Sequence, residues 1–246
     1  VAEATQARPA FERLNAVIYA GSPMAPDRVR VARDLFHGNL LQFYGLVEAI
    51  PPVTVLDREA HGQDRLLSSA GRPALGVQIE VVDDAGNRVD PGEIGEITVS
   101  GDHVMAGYWG HRGPDGKTLR NGTLRTGDMG RQDEDGYLFL VDRRGDMIIT
   151  GGYNVYPREV EDALRHERDV ADVAVVGLPH RDWGQAVTAF VVLQPGSTLT
   201  REQLDARCAE HLASFKKPKD VRFVDELPKT AIGKIDRRAL RGMVSS

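Results

Sequence analysis

This chain of 246 residues has a single cysteine, Cys208. One thiol excludes an internal disulfide framework and fits a reducing, cytoplasmic setting. Long apolar runs are also missing, so the sequence offers no membrane-spanning segment. Its first residues, Val-Ala-Glu-Ala-Thr-Gln-Ala-Arg, lack the apolar core of a secretory signal. There is no excess of positive charge. The formal net charge is -5, which argues against general nucleic-acid binding while leaving a local basic patch open. No His-Glu-x-x-His run and no cysteine cluster occurs, which removes catalytic zinc. Gly233-Lys234 is not a nucleotide-binding Walker loop, because position 228 is Pro and position 235 is Ile. Internal repeats and low-complexity tracts are absent as well.

What is present reads as a soluble globular chain, with 41% hydrophobic and 27% charged residues. Residues 16–20 form a short apolar run that ends at Gly21-Ser22-Pro23, a buried strand opening into a loop. A helix is expected from Pro26 to His37, and a second strand from Leu40 to Phe43. Strand, helix, strand is an α/β pattern. Near residue 74 the character changes. Val77–Val82, Ile94–Val99 and Leu138–Val141 read as strands separated by turns at Asp83–Asn87 and Asp133–Gly136. This predicts a small antiparallel β unit, barrel-like or sandwich-like. From Asp146 onward the pattern is α+β. Met147–Ile149 is a strand, Pro157 opens a helix, and Val170–Val176 and Ala186–Leu193 are β-rich. Thr200 and Gln203 have the spacing of a capping box, followed by Leu204, Cys208 and Leu212 at every fourth position. Val221–Val224 reads as a last strand, with a short helix after Lys234. The expected layout is therefore the end of an α/β subdomain (residues 1–73), a small antiparallel β subdomain (74–142), a hinge (143–146) and a C-terminal α+β domain (147–246).

Four short motifs stand in order along the chain: Tyr44-Gly-Leu-Val-Glu48, Thr126-Gly-Asp128, Asp142-Arg143 leading into Asp146-Met-Ile-Ile-Thr-Gly-Gly-Tyr-Asn154, and Pro228-Lys-Thr-Ala-Ile-Gly-Lys234 with Arg237 beyond it. Each alone is weak. Taken singly, Glu48 is a solvated carboxylate after a strand, Asp128 a turn residue bonded to its own backbone, and Lys234 a surface lysine. The ordered set resembles the adenylate-forming enzymes, the superfamily of acyl-CoA synthetases, peptide-synthetase adenylation domains and beetle luciferases. The resemblance runs from Leu14 nearly to the end.

It implies an enzyme that activates a carboxylic acid with ATP and Mg²⁺ and passes the acyl group to CoA. By that resemblance Glu48 is the Mg²⁺ ligand, a hard carboxylate suited to a hard cation. Tyr44, Gly45 and Val47 belong to the same nucleotide motif, with Tyr44 packing on adenine. Val47 departs from the family's Thr and cannot donate a hydrogen bond to the α-phosphate. Gly21, Ser22 and Pro23 correspond to the turn under the adenine. Asp128 and Arg143 are implied ribose contacts. Gly145 stands where the family has its hinge residue, usually Asp or Lys. Gly151, Gly152 and Tyr153 correspond to the loop lining the pantetheine tunnel. Lys234 is the implied catalytic lysine, a compact cation for the oxygens crowded at the α-phosphate. Lys216, Lys217 and Lys219 have three readings: contacts to CoA phosphates, a solvated loop, or partial packing on the domain junction.

The family's Ser/Thr/Gly-rich phosphate loop has no counterpart before Tyr44, so the resemblance implies that an N-terminal half is missing. Three other readings remain open. They are an enzyme loading a carrier-protein pantetheine, a fragment that binds nucleotide without catalysis, and a non-catalytic interaction protein. Against the last stand the intact Glu48, Asp128, Arg143 and Lys234. Small and apolar residues at Ala20 and Ala49–Val53 favour an aliphatic or aromatic acid over a charged amino acid.

Overall fold

The computed structural model describes Phe11 and residues 13–110, 118–231 and 233–243. The chain divides into two compact units, Val1–Val141 and Asp142–Ser246.

The first unit opens with β1 (Val17–Ala20), α1 (Pro26–Leu35), β2 (Leu40–Tyr44) and β3 (Thr54–Leu56). A single helical turn, α2 (Arg58–His61), and the two-residue β4 (Arg72–Pro73) follow. Pro26 starts α1, where its missing N–H costs nothing. β1 pairs parallel with β2, and β3 and β4 extend the sheet antiparallel in the order β1-β2-β3-β4. Then come β5 (Gln78–Val82), β6 (Gly95–Ser100), β7 (Leu119–Arg120), β8 (Thr123–Gln132) and β9 (Leu138–Arg143). They form an antiparallel sheet in the order β5-β6-β8-β7, with β9 also on β8. Among the described residues this sheet is antiparallel, as expected, and open, not a closed barrel. The path ends at β5 on one side, and no pairing returns from there to β7 or β9. One apolar cluster joins the two sheets, with Tyr44 of the first and Ala49, Val53 and Ala70 from its connecting loops meeting Ile79, Ile97, Val99 and Leu138 from the second.

The second unit contains β10 (Ile148–Thr150), β11 (Tyr153–Val155), α3 (Pro157–Arg165), β12 (Val170–His180), β13 (Gly184–Leu193), α4 (Arg201–His211), β14 (Asp220–Phe223) and α5 (Arg237–Gly242). The long strands β12 and β13 are apolar at nearly every position because both faces of the sheet are covered. Val173 and Val175 face one cluster with Val160 and Leu164 of α3 and Leu204 and Cys208 of α4. Their neighbours Ala174, Val176 and Leu178 face the other, with Leu227 and Leu240. Side chains that alternate with a period of two thus sort one strand between two cores. Thr200 and Gln203 make the expected capping box at α4, each side chain bonded to the other's backbone N–H.

β12 lies at the end of its sheet's strand path. Its outer edge is covered by α3 side chains. Glu161 accepts the Val175 N–H at 2.9 Å, and Arg165 donates to the Val173 carbonyl at 3.2 Å. Charges on an outer strand satisfy its backbone and discourage pairing with another chain. Glu161 is buried and also accepts from Arg237 of α5 at 2.5 Å. Burial pushes its carboxyl above the usual range, against the pull of Arg237 and the Val175 N–H.

Candidate active site

In the first unit Ala20 of β1 stands opposite Phe43 of the parallel β2. Gly21-Ser22-Pro23 and Tyr44 therefore leave the sheet side by side at the carboxyl ends of two parallel strands. Open α/β sheets bind ligands at such ends. Tyr44 is buried, and its phenol donates a 2.7 Å hydrogen bond to Asp128 Oδ2. Gly45 passes Pro51 so closely that an added Cβ would sit 2.6 Å from the Pro51 Cβ.

Asp128 is presented by an irregularity in β8. The pairing with β6 steps from Glu96–Met129 to Thr98–Arg125, so Thr126, Gly127 and Asp128 all lie opposite Ile97. Gly127 takes φ +72°, a conformation other residues rarely adopt. The Thr126 hydroxyl donates to the Ile97 carbonyl at 2.8 Å and accepts the Asp128 N–H at 3.1 Å. Threonine pins the bulge, glycine turns it and aspartate is aimed by it. The Asp128 carboxylate thus accepts from a residue on the other sheet of the unit.

Glu48 follows β2 and is half-buried, while Val47 beside it is 89% exposed. Tyr108 donates its phenol to Glu48 Oε1 at 2.8 Å. The Met105 N–H donates to the Glu48 carbonyl at 2.8 Å, and Val104 bridges to Ala49. Leu46, Glu48, Tyr108, Arg125, Thr126 and Gly127 line an open pocket of about 290 Å³. Arg125 in its wall is paired with buried Glu96, with one bond at 2.8 Å, and that hydrogen bonding holds its guanidinium above its ordinary pKa. Among the described residues no three potential ligands cluster as a metal centre. A single carboxylate fits Mg²⁺ nonetheless, since that ion binds through one or two carboxylates plus substrate phosphates.

In the second unit Gly151 and Gly152 form the two-residue loop between β10 and β11, where Thr150 pairs with Tyr153. Their φ values of +57° and +84° suit a tight hairpin turn of the primed type. Aromatic side chains flank this loop. The Gly151 N–H donates to the Trp183 carbonyl at 2.9 Å, and a Cβ on Gly151 would lie 2.8 Å from the Trp183 ring. Tyr153 stacks on Phe215 at 4.7 Å between ring centres. The Lys219 ammonium lies 5.0 Å from the centre of the Trp183 ring. Lys216 pairs with Glu159 at 2.5 Å and lies 5.6 Å from the Phe215 ring centre.

Lys234 is exposed on a second tight turn. The Gly233 N–H bonds the Thr230 carbonyl at 2.8 Å, and the Thr230 N–H bonds the Lys234 carbonyl at 2.7 Å. The Thr230 hydroxyl accepts the Lys234 N–H at 3.3 Å. Just beyond, Asp236 caps α5 through the Ala239 N–H at 2.9 Å, and Arg237 ties α5 to Glu161. The turn therefore stands on an anchored helix.

Arg143 is exposed, and Gly145 lies in a single 3-10 turn, Arg144–Asp146, with open space around it. Asp142 accepts the N–H of Arg143 at 2.7 Å and of Arg158 at 2.9 Å, and burial raises its carboxyl pKa. Arg241 of α5 reaches Asp146 at 3.3 Å.

Sequence reasoning missed four residues here: Tyr108, Trp183, Phe215 and Glu161. The first three are aromatic in a chain with 6% aromatics, which is the one signal that marked them.

Two family models match the chain: AMP-binding enzyme over residues 1–109 and AMP-binding enzyme C-terminal domain over residues 159–234. The chain belongs to the adenylate-forming superfamily. A medium/long-chain-fatty-acid–CoA ligase of Mycobacterium tuberculosis is 42% identical over 235 residues, covering 93% of this chain and 41% of the relative. Among solved structures, the amide bond synthetase McbA of Marinactinospora thermotolerans is 40% identical with a TM-score of 0.85, covering 96% of this chain and 49% of that one. The o-succinylbenzoate coenzyme A synthetase of Bacillus subtilis, solved with ATP and magnesium ion, is 32% identical with a TM-score of 0.80, covering 98% of this chain and 50% of that one. This adenylate-forming chain thus spans about half the length of the relatives it matches. Its described residues contain no helix long and apolar enough to cross a membrane.

Proposed function

We propose that the protein carrying this chain is an AMP-forming acid–thiol ligase. A carboxylate oxygen attacks the α-phosphorus of ATP, the bond to pyrophosphate breaks, and an acyl-adenylate forms. The CoA sulfur then attacks the acyl carbon, and AMP leaves. The observation that carries this reading is the Tyr44–Asp128 hydrogen bond of 2.7 Å, which joins two motifs 84 residues apart at the carboxyl ends of the parallel strands. Asp128 has acceptor capacity for two ribose hydroxyls. Glu48, in the neighbouring pocket, suits Mg²⁺, which would offset the charge of the triphosphate. Lys234 supplies a positive charge for the oxygens gathered at the α-phosphate. Arg143 is the second ribose contact, Gly21–Pro23 the turn beside the base, and Gly145 the pivot of the second unit. Val47 and Ile50, both exposed and apolar beside Glu48, favour an aliphatic or aromatic acid.

The thiol is free CoA in this reading. Trp183, 44% exposed, offers a flat face for a base, and Lys219 beside it offers charge for phosphates. A carrier-bound pantetheine would use neither. The likeness to an amide bond synthetase keeps an amine acceptor as the second reading.

The deciding experiment is ATP–pyrophosphate exchange by the full-length protein with Mg²⁺ and a panel of fatty and aromatic acids. Lys234→Ala should abolish exchange. Thioester should appear when CoA is added. Exchange followed by amide but no thioester would favour the amine, and exchange untouched by Lys234→Ala would remove that lysine from the mechanism.

A further inference from the structure

We propose that Tyr108 is a positioning residue for Glu48, fixing the carboxylate that the functional reading above assigns to the metal. The inference rests on that reading. Its basis is local geometry. The Tyr108 phenol donates to Glu48 Oε1 at 2.8 Å. Both side chains line the same open pocket. The segment that carries Tyr108 is fastened to the Glu48 segment twice more, by the Met105 N–H on the Glu48 carbonyl and by the Val104–Ala49 bridge.

The direction of the bond matters. The phenol is the donor and Glu48 Oε1 the acceptor, so the bond restrains the carboxylate without replacing it as a ligand. It occupies one of about four lone-pair sites on the two carboxylate oxygens and leaves capacity for a cation. It also selects one orientation of a half-buried side chain whose neighbour, Val47, is 89% exposed and gives no packing restraint. Partners that orient a metal ligand without touching the metal typically change metal affinity by about 10–100-fold when removed. The Tyr108 ring is itself partly exposed, at 43%. Removing its hydroxyl alone therefore leaves little packing to disturb.

The test is Tyr108→Phe in the full-length protein, with Mn²⁺ replacing Mg²⁺ for detection. Mn²⁺ binding is followed by electron paramagnetic resonance in the presence of a non-hydrolysable ATP analogue. Metal dependence of pyrophosphate exchange is measured in parallel. The expected result is a loss of metal affinity of about tenfold or more, matched by the metal dependence of exchange. Thermal stability and the transfer of a preformed acyl-adenylate to CoA should be unchanged. In a Glu48→Gln background the same substitution should add nothing, because its effect runs through the missing carboxylate.

Unaltered Mn²⁺ binding in Tyr108→Phe, with normal exchange by the wild type, overturns the role of Tyr108 and leaves the ligase reading standing. A uniform loss of all rates with a lowered melting temperature makes Tyr108 structural and also overturns it. Absence of exchange in the wild type with every acid overturns the ligase reading, and the role of Tyr108 with it.

Discussion

Tyr44 and Asp128 meet through a 2.7 Å hydrogen bond between a parallel strand end and a bulge in an antiparallel sheet. The bond makes the orientation of Asp128 a property of both sheets at once. The bond uses one of about four acceptor sites that a carboxylate has.

If that capacity serves a ribose, the enzyme will discriminate against nucleotides that lack a hydroxyl. A hydrogen bond to a charged group contributes about 1.5–3 kcal/mol, roughly a ten- to hundredfold preference. The wild type should therefore favour ATP over 2′-deoxy-ATP and 3′-deoxy-ATP in pyrophosphate exchange. Asp128→Ala should lower activity with ATP and erase the preference. Equal use of all three nucleotides by the wild type would remove Asp128 from the ribose site.

Gly151 is constrained twice, by φ +57° and by the Trp183 ring 2.8 Å from where its Cβ would be. Gly151→Ala must bear about 1–2 kcal/mol for the left-handed backbone and must also move Trp183. We expect thioester formation to fall while pyrophosphate exchange persists, since the strain is confined to the loop beside Trp183. Loss of both half-reactions in equal measure would mean that the change unfolds the unit, which a melting curve would reveal.

Trp183 can be tested by changing the acceptor. Stacking of a base on an aromatic ring is worth about 1–3 kcal/mol by alanine substitution. Trp183→Ala should raise KM for CoA by roughly five- to a hundredfold. Pantetheine, which has the thiol but no nucleotide, should be used equally well by wild type and variant. An equal loss with pantetheine would place Trp183 on the thiol arm and not on the base.

The second unit was the most legible part of the sequence, for a physical reason. β12 and β13 are buried on both faces, so burial shows as unbroken apolar runs, and the Thr200–Gln203 cap is a local pattern. β8 escaped notice because its middle is Thr-Gly-Asp, a turn-like composition that is held extended by pairing with β6. β4 and β7 have two residues each, too few for any period to appear. Glu161 sits in a polar run and gave no sign of burial. Its burial comes from the Val175 N–H at the sheet edge, a tertiary contact. The family was readable from the order of the motifs. The bonds Tyr44–Asp128 and Glu48–Tyr108 were not, since they join positions 84 and 60 apart.

His61 gives a pH-dependent stability with a definite sign. It is fully buried, bonded to the Tyr19 phenol at 3.0 Å and to the Asp57 carbonyl at 2.6 Å. Burial holds its pKa below the ordinary 6.5, and nearby Arg33 adds to that effect. In the unfolded chain the imidazole takes a proton first as the pH falls. Below pH 6.5 the unfolded state thus binds more protons than the folded one, and stability declines toward the folded pKa. The slope from one such group is at most about 1.4 kcal/mol per pH unit. Melting the wild type and His61→Gln between about pH 8 and about pH 5 isolates the term, because other titrating groups are common to both. The wild type should lose more stability on acidification than the variant. Parallel curves would show that His61 accepts a proton as readily when folded as when unfolded.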